Sequence, residues 1–165
     1  MRNLIIIVIS VFCFSSCNSL HEEYNVNYKK HQELIAQINQ YFKNTHPVEL
    51  QIQNYYTENF VFHYMIAGNK KGIDVSKSQY LDGFINMKKN NKSIEIGHSI
   101  YLPGLDEHTF EIDGSVRIYY GATMTQDNKS VDFSGYQTIN FEDGKISEIW
   151  EWADYGGVNN QLFNY

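Results

Sequence analysis

Residues 133–155, FSGYQTINFEDGKISEIWEWADY, decide how this chain is read. Two apolar runs flank Glu142-Asp143-Gly144, the pattern of a Gly-terminated hairpin turn. On the first run Val131, Phe133, Gly135, Gln137, Ile139 and Phe141 share one register of a strand. The second run carries apolar and acidic residues in both registers. Ile146, Glu148, Trp150, Trp152 and Asp154 fall in one, Ile149, Glu151 and Ala153 in the other. Periodicity alone leaves open which of the two faces the interior.

Working upstream, the period of 2 persists. Phe110, Ile112, Val116, Ile118, Tyr120, Ala122 and Met124 form a second inner register, closed by a turn at 126–129. Ile94, Ile96, His98, Ile100 and Leu102 form a third, broken by Pro103-Gly104. Before Lys92 the period becomes 3.6. Ser76 stands three residues before Gln79, a capping box, and Tyr80, Leu81, Phe84 and Ile85 give a helical stripe. Phe60 to Ile66 is a strand with apolar residues on both faces, followed by a loop over 67–74. Leu34, Ile35, Ile38, Tyr41 and Phe42 make the stripe of a helix that Asn27 could cap. Thr45-His46-Pro47 predicts a second helix with Val48, Ile52, Tyr55 and Tyr56 on its face. The tail, 156–165, reads as a loop anchored by Leu162 and Phe163. Helices first and long antiparallel strands after predict an α+β domain. A curled sheet with helices across its concave side encloses a pocket, the default ligand site.

Composition narrows the function classes. The chain has 165 residues, enough for one domain with a substantial core, with 42% hydrophobic and 19% charged residues. Its net charge of −6 argues against a nucleic-acid backbone binder, which needs a basic stripe. Cys13 and Cys17 lie near the N-terminus, so the body has neither a disulfide framework nor a cysteine metal site. The six histidines lack zinc-type spacing, and no phosphate cradle or nucleophile elbow is present. No metal or cofactor is expected. The first residues, MRNLIIIVISVFCFSSCNS, have a basic Arg2, an apolar run from Leu4 to Phe14 and then small residues, a secretory signal. That run is short for a membrane span, which needs about 20 apolar residues.

Phe14-Ser15-Ser16-Cys17 resembles a bacterial lipobox. The resemblance implies a signal peptide over 1–16, lipid on Cys17, a tether over 17–27 and a domain over 28–165, held at the cell envelope on the periplasmic or outer-membrane side. An ordinary signal cut nearby, giving a secreted protein with a stray thiol, is the alternative.

YYTENFVFHY at 55–64, the helix from 77 and FEDGKISEIWEWAD at 141–154 resemble the nuclear transport factor 2-like superfamily, and its SnoaL-like branch in particular. The resemblance spans roughly residues 28–160. It implies a cone-shaped fold with N-terminal helices packed on a curved, mainly antiparallel sheet. Its members include ketosteroid isomerases, polyketide cyclases, dehydratases and proteins that only bind or dimerise, so fold analogy says little about chemistry. An isomerase needs a carboxylate base and an oxyanion hole of Tyr and protonated Asp. At the matching positions this chain has His63 and Gln137, with Tyr41 the nearest Tyr, so the isomerase set is absent as such. The cyclase analogy makes Asp154 the acid/base.

Polar side chains in an apolar register are the independent signal, because burying one without a partner costs about 1–3 kcal/mol. His63 lies between Val61 and Met65, a base or a bonded core histidine. Gln137 orients a ligand or fixes strand register, and His98 is a weaker candidate of the same kind. Glu151 or Asp154 at the pocket would have a raised pKa and could act as a general acid. Tyr120 shares the register of Ile118 and Ala122 and is expected to line the pocket. Three readings stay open. The first is a lipoprotein binding a small apolar ligand. The second is a cofactor-free isomerase, cyclase or dehydratase using His63 and a last-strand carboxylate. The third is a module that homodimerises through its sheet face.

Overall fold

The computed structural model describes the backbone of residues 2–46 and 48–163, and the side chains of 20–46 and 48–163. The hairpin of the quoted stretch lies inside a six-stranded sheet. Its arms are β5 (Lys129–Glu142) and β6 (Lys145–Ala153). Asp143 and Gly144 form the two-residue loop, with φ of 50° and 66°, the left-handed pair that a type I′ turn requires and that Gly adopts without strain. Next to β5 stands β4 (Ile112–Gln126), and β3 (Lys92–Leu105) closes that edge, both antiparallel. On the other side β6 pairs in parallel with β1 (Tyr56–Tyr64), which pairs with the short β2 (Ile73–Ser76). Helix α1 (Arg2–Lys43), α2 (Lys77–Lys89) and α3 (Tyr155–Phe163) complete the fold. Helices on one face of a curved, mainly antiparallel sheet make the α+β architecture that the sequence predicts.

The core lies between the inner sheet face and the helices. Val116, Ile118, Ala122, Met124, Ile139 and Ile149 are buried on the sheet, and Leu34 and Ile38 on α1 meet them. The Ser76 capping box is present: its Oγ accepts from the Gln79 N–H, and the Gln79 side chain accepts from the Ser76 N–H.

Several expected elements differ. Residues 17–27, read as a tether, are helical and continuous with α1. Asn27 does not cap a helix; it is buried mid-helix and donates to the Gly114 carbonyl at 2.9 Å. The predicted second helix is a 3-10 turn at Gln53–Tyr55, after which Tyr56 already pairs with Ile146; Pro47 lies outside the described residues. β2 forms where only a loop was expected. Pro103 and Gly104 stay within β3, tolerated because β3 is an edge strand. Phe110 is exposed at φ 61° outside β4. The tail is a helix that buries Val158 and Leu162.

A bulge in β3 alters its inner face. Ile96 pairs with Ala122 and Ser99 with Tyr120, so three steps on β3 match two on β4. The extra residue at Gly97-His98 flips the alternation. His98, Ile100 and Leu102 are therefore exposed, and Tyr101 turns inward to within 3.2 Å of His31 Nδ1.

Candidate ligand site

The parallel pairing of β1 with β6 resolves the ambiguous strand. Phe62 pairs with Ile149 and Tyr64 with Glu151, while His63 pairs with Trp150. Ile149 and Glu151 therefore share the inner face with Phe62 and Tyr64, and Trp150 shares the outer face with His63. An open cavity of about 380 Å³ lies between this inner face and the helices. Its wall is mainly apolar, from Leu34 and Ile38 on α1, Phe84 and Met87 on α2, and Ile94, Met124 and Ile149 on the sheet.

Glu151 is buried in this wall and fully engaged. Tyr120 Oη donates to its Oε1 at 2.7 Å, Gln137 Nε2 to the same oxygen at 2.6 Å, and Tyr155 Oη to Oε2 at 3.1 Å. Gln137 stands directly opposite Glu151 across the β5–β6 ladder. Tyr120 starts one strand further away, and Gly135 gives it passage. A Cβ on Gly135 would collide with the Tyr120 phenol ring, so glycine lets the ring cross β5 to reach β6. Burial raises the Glu151 pKa, and the three donors partly offset this by favouring the ionised form. Burial likewise raises the Tyr120 and Tyr155 hydroxyls, with Glu151 adding to it, so both remain protonated donors at neutral pH. His31 on α1 also borders the cavity; burial lowers it to about 4, leaving a neutral imidazole.

The sequence candidates thus divide. Tyr120, Gln137 and Glu151 converge on one carboxyl group at the cavity. His63 does not reach it. Its Nδ1 donates to Asp74 Oδ1 at 2.7 Å, and its ring stacks on Trp150 with centroids 3.9 Å apart on the outer face. Its apolar neighbours Val61 and Met65 are half-buried, on a strand that carries apolar residues on both faces. Asp154 is exposed and caps α3, accepting from the Gly157 N–H at 2.8 Å. Tyr41 packs against Phe42 and under Lys88, outside the cavity lining. Cys17, with the signal segment, lies outside the residues whose side chains are described. Tyr155 and His31 were missed. Tyr155 sits just beyond the last strand's alternation. His31 continues the α1 stripe in steps of three and four from Tyr24 through Asn27 to Leu34, Ile38 and Tyr41, a pattern hidden by its polar members.

No protein-family model matches the sequence, and no curated protein matches it significantly. Solved structures do match, at the level of fold. A phenazine biosynthesis-related protein from Pseudomonas aeruginosa superposes with TM-score 0.63 at 11% identity, over 88% of this chain and 90% of that one. An LEH-like epoxide hydrolase from M. tuberculosis gives 0.58 at 12% identity, over 85% and 91%. A nuclear transport factor 2-like protein from Anabaena variabilis gives 0.55 at 16% identity, over 78% and 89%. The chain has the nuclear transport factor 2-like cone fold.

Proposed function

We propose that this chain is an envelope-anchored, SnoaL-like domain that binds a small apolar ligand in its cone. One observation carries the reading: the cavity of about 380 Å³ has a mainly apolar wall into which one pre-organised carboxyl group, Glu151, is set. That volume suits a small molecule. Apolar desolvation supplies the affinity, at about 25 cal/mol per Å², and the Glu151 cluster supplies orientation. Titration with the neutral, apolar dye N-phenyl-1-naphthylamine tests this. One saturable site per chain is expected, abolished by Leu34→Trp, which fills the cavity from α1, and kept in Trp152→Ala on the outer face. Binding that survives Leu34→Trp would remove the cavity from the account.

The state of Glu151 favours a second reading, a cofactor-free acid/base enzyme. A buried carboxyl with a raised pKa can donate a proton to a ligand oxygen or accept one from carbon. The acting group is then Glu151, not His63 or Asp154. Glu151→Gln should keep dye binding and abolish any turnover.

Anchoring rests on the sequence Phe14-Ser15-Ser16-Cys17 alone. Metabolic labelling with an alkyne fatty acid, lost in Cys17→Ser, would support lipid on Cys17; unlabelled protein would count against it. A homodimer through the outer sheet face is supported by the exposed Ile100, Tyr119 and Trp152. Sedimentation equilibrium should find a dimer that Tyr119→Glu dissociates.

A further inference from the structure

The cavity has a second polar feature, on its solvent side. Gln79 and Gly83, its exposed lining residues, lie on α2; half-buried Lys92 and Asn159 border it from the start of β3 and from α3. We place the mouth on this solvent-reaching polar lining. Among the described residues Lys92 is the only cationic side chain on the cavity lining. Of the lysines nearest in sequence, Lys88 donates to the Tyr41 and Asn44 carbonyls, and Lys89 is exposed and off the cavity lining. Lys92 Nζ donates to Asn159 Oδ1 at 2.8 Å and stands 5.9 Å from the Phe163 ring centroid. An ammonium has three N–H donors, and among the described residues no carboxylate pairs with this one. Partial burial lowers its pKa, a cost that an anion beside it would remove.

We infer that the ligand is a small amphiphilic monocarboxylate bound head-out, its apolar body against Ile94 and Met124 and its carboxylate on Lys92 at the mouth. This rests on the reading of the cavity as a ligand site. The orientation follows from desolvation. A carboxylate carried to the floor would lose its water and meet Glu151, whereas at the mouth it keeps water on one side and gains a charge-assisted hydrogen bond. An amine at the same place would face the Lys92 ammonium, so the mouth selects by charge as the wall selects by hydrophobicity.

Displacement of N-phenyl-1-naphthylamine from the full chain at neutral pH tests the inference, with decanoate, decanol and decylammonium as competitors. Decanoate should act at about tenfold lower concentration than decanol, the effect of one hydrogen bond between charged groups, and decylammonium should be weakest. Lys92→Gln should erase the gap between decanoate and decanol and leave decanol unchanged, while Lys92→Arg keeps the gap. Equal action of decanoate and decanol on the unmutated chain, or a gap that survives Lys92→Gln, overturns the assignment of the head group and leaves the apolar site standing. If no competitor displaces the dye, or the dye does not bind, the ligand-site reading falls with it.

Discussion

Replacing Tyr120 by Phe removes one oxygen and leaves the ring in place over Gly135. The bond lost is the 2.7 Å contact to Glu151 Oε1. A hydrogen bond to a charged group contributes about 1.5–3 kcal/mol. Gln137 stays on the same oxygen and Tyr155 on the other, so the carboxyl is not orphaned and the lower part of that range applies. A loss of about 1.5–2 kcal/mol at neutral pH follows, lowering Tm by roughly 3–8 °C for a chain of this size. The loss should also depend on pH. Burial raises the Glu151 pKa above its unfolded value, so folding favours the protonated form. The stability this gives is complete below the unfolded carboxylate range and is lost as pH rises through the folded value. The Tyr120 hydroxyl opposes that loss by bonding the ionised form. Without it the decline is steeper, and the Tyr120→Phe penalty grows from acid to neutral pH. Urea denaturation of both proteins from about pH 4 to about pH 8 measures this. A penalty that is flat across that range would refute the claim that Tyr120 holds a buried, titrating carboxyl.

Gly135→Ala places a methyl group against the Tyr120 ring. Overpacking of this kind costs about 1–3 kcal/mol, and dye affinity should fall with it as the phenol leaves Glu151; thermal unfolding and dye titration report both. Asp154→Ala should cost about 1 kcal/mol through the α3 cap, with Asp154→Asn recovering most of it and neither changing dye affinity. His63→Gln should leave dye affinity unchanged, since its ring lies on Trp150 across the sheet from the cavity; weakened binding would place a cavity role back on His63.

The strands were legible because their inner registers are long and nearly uniform. Polar exceptions within such a register were therefore informative: Tyr120 and Gln137 stood out among apolar neighbours and both reach the cavity. Glu151 was not separable from Asp154, since both registers of the last strand carry acids. The parallel contact with β1, a long-range fact, decides between them. The side of His63 was not legible because β1 carries apolar residues on both faces, so an apolar flank does not identify the cavity side. The β3 bulge had a local sign in Gly97, yet the alternation through His98, Ile100 and Leu102 looks unbroken until β4 supplies the register. The polar, unpatterned residues before Asn27 read as a tether, while on α1 the stripe continues through Asn27 and His31. Each is buried because a tertiary partner, Gly114 or Tyr101, satisfies it. The α3 helix hid behind Gly156-Gly157, poor helix formers that Asp154 caps.

Methyl NMR of the isotope-labelled chain titrated with N-phenyl-1-naphthylamine tests the central claim most directly. The account predicts intermolecular contacts and shift changes at Leu34, Ile38, Ile94 and Ile149, which line the cavity, and none at Ile100 and Leu102, which are exposed on the outer face. Contacts confined to Ile100 and Leu102, with the cavity methyls unmoved, would contradict it.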